Sequence, residues 1–141
     1  MNNKQQLTEH FTLWELTRSG TAITLGIKNV PDEREIEALR ALCENILEPL
    51  RRRYGAITVT SGYRSRRLNA AVGGASDSQH LRGEAVDIFV PSMETGLKYF
   101  NFIRKYTPFD QLIWEPRGSY CPRWLHVSFT QRRPNRGQVL M

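Results

Sequence analysis

Ser78-Gln79-His80-Leu81-Arg82-Gly83-Glu84-Ala85-Val86-Asp87-Ile88-Phe89-Val90 runs from a polar loop, through a turn at Gly83, into an apolar strand with a carboxylate at its centre. Such a carboxylate is costly unless something pairs with it, and a cation would offset the cost. The short connection lets the chain fold back so that His80 and Asp87 reach one point. A second strand, Trp124-Leu125-His126-Val127-Ser128-Phe129, repeats the pattern with a histidine amid apolar neighbours. Two histidines and one carboxylate form a ligand set suited to zinc, with a fourth position left for water or substrate. The same residues also fit a buried Asp–His pair without metal, and spacing alone does not choose between the two.

Outward from these strands, Ala56-Ile57-Thr58-Val59-Thr60 is a β-branched strand. Gln111-Leu112-Ile113-Trp114-Glu115 is another, joined to the histidine strand by a Pro/Gly-bearing loop. Ile36, Leu39, Cys43, Ile46 and Leu50 recur at helical steps and predict one long helix from about Pro31 to Tyr54. Asp32, Glu33 and Glu35 crowd its first turn and Arg51 to Arg53 its last, which complements the helix dipole. Pro49 is expected to bend its last turns. Thr12-Leu13-Trp14-Glu15 has the form of a capping box and is expected to open a short helix. Ser65 is expected to cap a helix through Val72, and Leu97 to Tyr106 to form a further one. The sum is an α+β domain, helices packed on one small, mostly antiparallel sheet. A single domain over 1–141 is expected, with 1–30 as a wrapping segment and the basic residues 130–141 as a frayed tail.

The chain has 141 residues, 40% hydrophobic and 24% charged, which excludes a disordered protein. No run approaches the roughly eighteen apolar residues of a membrane helix, so no membrane insertion is expected. Met1 to Gln6 lacks an apolar core and a cleavage site, so no signal peptide is expected. Two cysteines, Cys43 and Cys121, suggest neither a disulfide framework nor a thiolate zinc cage. A net charge of +6 favours an anionic partner such as nucleic acid or an acidic cell wall. Helix-turn-helix, zinc-finger and RNA-binding signatures are missing, so no specific nucleic-acid partner is expected. Of the three histidines, His10 has no evident acidic or histidine companion and reads as a surface or capping residue.

Ser61-Gly62-Tyr63-Arg64-Ser65, then Ser78-x-His80-x6-Asp87, then Trp124-Leu125-His126-Val127-Ser128 resembles the zinc D-alanyl-D-alanine carboxypeptidase and L-alanyl-D-glutamate endopeptidase family. Thr8-Glu9-His10-Phe11-Thr12-Leu13 and Leu47-Glu48-Pro49-Leu50 are similar to its small phage- or prophage-borne branch, which includes endolysins. The resemblance implies a hedgehog/DD-peptidase-like fold and Zn2+ held by His80, Asp87 and His126. It also implies Arg64 as the holder of a substrate carboxylate, where a helix-start arginine is the plainer reading. Ser78 and Gln79 border the first ligand and either hydrogen-bond substrate or shape the loop. Many family members carry an acid three positions before the last zinc histidine, where this chain has Arg123, which takes no proton. Glu115 is the best replacement base, an arrangement similar to the related hedgehog signalling domain. The expected activity is hydrolysis of peptidoglycan stem peptides. The alternative is a zinc-containing wall- or protein-binding module without catalysis. With no signal peptide, synthesis in the cytoplasm and action on the wall as a phage lysis or virion protein is the expectation.

Overall fold

The computed structural model describes residues 4–141. Residues 1–3 of the stretch read as lacking a signal peptide therefore lie outside the described residues. Val59–Ser61 (β1), Ala85–Phe89 (β2), Gln111–Glu115 (β3), Trp124–Ser128 (β4) and Gln138–Leu140 (β5) form one sheet in the order β1-β2-β4-β3-β5. Every neighbouring pair is antiparallel except β3 with β5.

Successive strand residues point to opposite faces, and that period of two divides the sheet. Val86, Ile88, Leu112, Trp114, Leu125 and Val127 are buried and form the core face. The alternate residues, including Asp87, Ile113, Glu115, Trp124 and His126, make the other face. Register then sets the site: Asp87 lies directly opposite His126, and His126 opposite Ile113.

Helices cover the core face. Met93–Tyr106 (α5) packs on β3, with Phe100 edge-on to Trp114 at 5.4 Å between ring centres. The helix begins a turn before the expected Leu97 because Ser92 caps it, accepting from the Thr95 N–H. Gly20–Leu25 (α1) and Arg66–Ala71 (α4, capped by Ser65 as expected) are short. The expected long helix is continuous but not uniform. Glu33–Leu42 (α2), opened by an Asp32–Glu35 capping box, passes through a π turn at Cys43–Leu47 into Glu48–Tyr54 (α3). Pro49 has no N–H and its ring crowds the carbonyl four residues back. The helix answers by widening in the turn before it, where the Glu48 N–H donates to the Cys43 carbonyl.

Two expectations are corrected. The hydrogen bonds of the Thr12–Glu15 box form, but the backbone beyond is a series of turns, held by the Leu13 N–H on the Gln5 carbonyl. Residues 130–141 do not fray. Glu84 and Asp110, both buried, grip Arg132, Arg133 and Arg136, and β5 then adds to the sheet edge. Leu7, Phe11, Leu13 and Leu16 of the N-terminal segment are buried in the core, each worth about 2 kcal/mol. Among the described residues no helix is long and apolar enough to cross a membrane.

Candidate metal centre

His80 stands in a 3-10 turn, Gln79–Arg82, that Gly83 closes in the left-handed conformation at φ 70°. Ser78 caps the turn, its hydroxyl accepting from the His80 N–H at 3.2 Å. The His80 Nδ1 lies 2.7 Å from the Gly62 carbonyl, an acceptor, so Nδ1 carries the proton and Nε2 presents its lone pair. That lone pair faces Asp87 Oδ1 at 3.4 Å, and His126 Nδ1 faces the same oxygen at 3.2 Å. Atoms bound tetrahedrally to zinc at its usual bond lengths lie about 3.3 Å apart, so both nitrogen–oxygen separations suit the ion. Burial alone would raise the Asp87 carboxyl; the imidazoles of His126 and His80 beside it hold it well below the usual carboxylate range. Donation from His80 Nε2 is what the Gly62 bond denies. The carboxylate thus demands positive charge where the three groups meet, and His80, Asp87 and His126 can hold a metal ion there.

Arg64 approaches from the opposite side. Its Nε donates to Ser61 Oγ at 3.2 Å, Nη1 to Asn69 Oδ1 at 3.3 Å, and Nη2 to Asp87 Oδ2 at 3.5 Å. Burial lowers its pKa, and the Asp87 charge opposes that. Its backbone N–H donates to the His80 carbonyl at 3.0 Å, tying the two loops together. Asn29 locks the same loop to the N-terminal segment: its amide donates to the Thr17 and Tyr63 carbonyls at 2.7 and 2.9 Å and its oxygen accepts from the Ser65 N–H at 2.7 Å. Sequence reading missed Asn29, whose partners lie up to 36 positions away.

Every residue selected from the sequence lines one cleft of about 690 Å³, a size typical of ligand sites. Glu115 ends β3 opposite Trp124 and diagonal to His126 on the cleft face, a relation that puts side-chain origins about 7–8 Å apart. Ser78 acts as the cap described above. Gln79 donates from Nε2 to Glu84 Oε1 at 3.3 Å, and its Oε1 is buried without a partner among the described residues. The sequence reading missed four further cleft arginines, Arg82, Arg132, Arg133 and Arg136. It also missed the partner of His10, whose Nδ1 meets the buried Glu48 carboxylate at 2.6 Å; His10 is a half-buried lock on α3, not a lone surface residue.

Comparison with known protein families matches residues 9–128 to Peptidase M15. The chain belongs to the Peptidase M15 family. A search of curated proteins found no match. The fold of this M15 peptidase, helices on a mixed but mainly antiparallel sheet, agrees with the expected architecture. Its His80–Asp87–His126 cluster can coordinate a metal ion and is consistent with a zinc metallopeptidase. The family match ends at Ser128, so the arm carrying Arg132, Arg133 and Arg136 lies beyond it.

Proposed function

We propose that the protein hydrolyses peptide bonds in bacterial peptidoglycan stem peptides, with zinc held by His80, Asp87 and His126. The observation that carries this reading is the meeting of two imidazole nitrogens on one oxygen of Asp87 at 3.4 and 3.2 Å, within a cleft that also holds Glu115. When bound, zinc supplies Lewis acidity toward a water molecule and the scissile carbonyl.

The chain's own residues supply the rest. Glu115 has no ion-pair partner among the described residues, so its carboxylate is available as a general base. It accepts the proton of the attacking water as the new C–O bond forms, and delivers it to the leaving amine as the C–N bond breaks. Arg64 holds a substrate carboxylate through its planar fork, steadied by Ser61 and Asn69. The Gly62 carbonyl keeps His80 in one tautomer. Arg123 is exposed and stands where an acid is common, so the base role falls to Glu115.

Mass spectrometry of purified peptidoglycan and short stem peptides, digested by zinc-loaded protein beside a chelated control, tests the reading. Chelator-sensitive release of D-alanine, or of a new L-alanine end, is expected and names the bond. Glu115→Gln should keep zinc and lose about 10²–10⁴-fold in turnover. No cleavage of any wall type by folded, zinc-bearing protein would favour the binding module instead.

A further inference from the structure

The cleft carries a second charged feature that the proposed reaction does not use. Asp110, fully buried, receives Arg133 at 2.8 and 3.0 Å and Arg136 at 3.0 and 2.7 Å. Two guanidiniums on one carboxylate leave a positive charge uncompensated. One arginine would satisfy Asp110, so closing the arm onto the domain does not require both. Their side chains nevertheless stay 37% and 47% exposed and line the cleft. Arg82, exposed in the turn after His80, lines it too and makes no ion pair among the described residues. Asp110 takes one edge of each guanidinium and so fixes both in advance, which removes most of the ordering cost of receiving an anion on their remaining N–H groups.

We propose that Arg82, Arg133 and Arg136 form an anion subsite for a second carboxylate of the peptide being cut, separate from the one on Arg64. This rests on the peptidase reading above, and it narrows the substrate to acidic peptides with an internal carboxylate. The subsite shares the cleft with the metal ligands and Glu115. The anion therefore belongs to the molecule under attack, which favours a peptide carboxylate over the phosphate of a wall polymer. Arg133 and Arg136 lie beyond the family match and Arg82 lies within it.

Two stem peptides that differ only in whether the internal glutamate carboxylate is free or amidated test the proposal. For the zinc-loaded protein, kcat/KM should favour the free acid by about tenfold or more. In Arg82→Gln, a change that touches no buried group, the preference should shrink to within about threefold. Calorimetric Kd values for both peptides on zinc-loaded Glu115→Gln protein give a readout independent of turnover, with the same preference expected. Equal kcat/KM and equal Kd for the two peptides would overturn the subsite and leave the peptidase reading standing. Cleavage of neither peptide, with the Kd preference intact, would sink that reading and keep the subsite. Equal peptide affinities with a glycerol-phosphate polymer that binds wild type but not Arg82→Gln would assign the arginines to wall phosphate and reject the proposal.

Discussion

Two clusters in this molecule are built from histidines and carboxylates and have opposite chemistry. His80, Asp87 and His126 offer ligand atoms within 4.8 Å of one another, and so do Glu9, His10 and Glu48. In the second cluster every partner of Glu48 can bring a hydrogen. The Thr8 hydroxyl donates at 2.7 Å, the His10 backbone N–H at 2.8 Å, and the His10 ring meets the carboxylate at 2.6 Å. Burial pushes the Glu48 carboxyl up, but these bonds outweigh it and hold the pKa below its ordinary value. The cluster is satisfied and locks the N-terminal segment onto α3. At Asp87, Arg64 donates to Oδ2 at 3.5 Å, but Oδ1 faces two imidazole nitrogens, and the His80 proton already sits on the Gly62 carbonyl. The shortage of donors at that one oxygen separates a metal centre from a lock.

The largest effect should come from removing the charge at the centre. Asp87→Asn is expected to weaken zinc binding by more than about a hundredfold, beyond the usual loss for an outer-shell partner. Competition with a chelating indicator measures it. Glu48→Ala, by contrast, should bind zinc with wild-type affinity and stoichiometry. A lowered zinc content in Glu48→Ala would make the second cluster a metal site and break the comparison.

Glu48→Ala should appear instead in stability, by about 3 kcal/mol at neutral pH, because a buried hydrogen-bonded network loses its acceptor. The pH dependence carries the sign. The folded pKa of Glu48 lies below the ordinary 4.5, so its contribution is complete above that value and fades as pH falls through the folded pKa. Urea midpoints of wild type and variant should therefore differ most near neutrality and converge in acid. A gap that widened below pH 4.5 would contradict the assignment. Glu84 and Asp110 also have lowered pKa values, but Glu48→Ala leaves their arginine partners in place, so the difference between the proteins isolates Glu48.

The comparison also explains what the sequence made legible. Asp87 and His126 stand out because each interrupts an apolar strand, and a period of two says they face away from the core. Glu84 precedes its strand and Asp110 stands between Phe109 and polar Gln111, so neither interrupts an apolar run and neither was read as a buried charge. Their partners lie 48 and 26 positions away in an arm whose local pattern is merely basic. A three-residue strand such as β5 has no periodicity to detect, and its pairing to β3 depends on the Asp110 clamp. His10 and Glu48, 38 positions apart, were hidden for the same reason. Local pattern thus revealed the strands and the ligands on them, while closures between distant segments left no local trace.

The smallest effect sharpens the argument about His80. A Cβ on Gly62 would run into the Leu16 carbonyl, which is backbone and cannot swing aside. The Tyr63 N–H binds that same carbonyl at 2.8 Å, so the loop has no slack. In Gly62→Ala the loop must retreat, drawing the Gly62 carbonyl away from the His80 Nδ1. Overpacking should cost about 1–3 kcal/mol of stability. Zinc affinity should fall about 10–100-fold, the range for losing the partner that fixes a ligand's tautomer. Nitrogen NMR of the imidazoles provides the separating readout, since the hydrogen-bonded Nδ1–H signal of His80 should weaken or vanish. If Gly62→Ala lost stability yet bound zinc within about twofold of wild type, the Gly62 carbonyl would not be setting the tautomer. The case from missing donors would then fail.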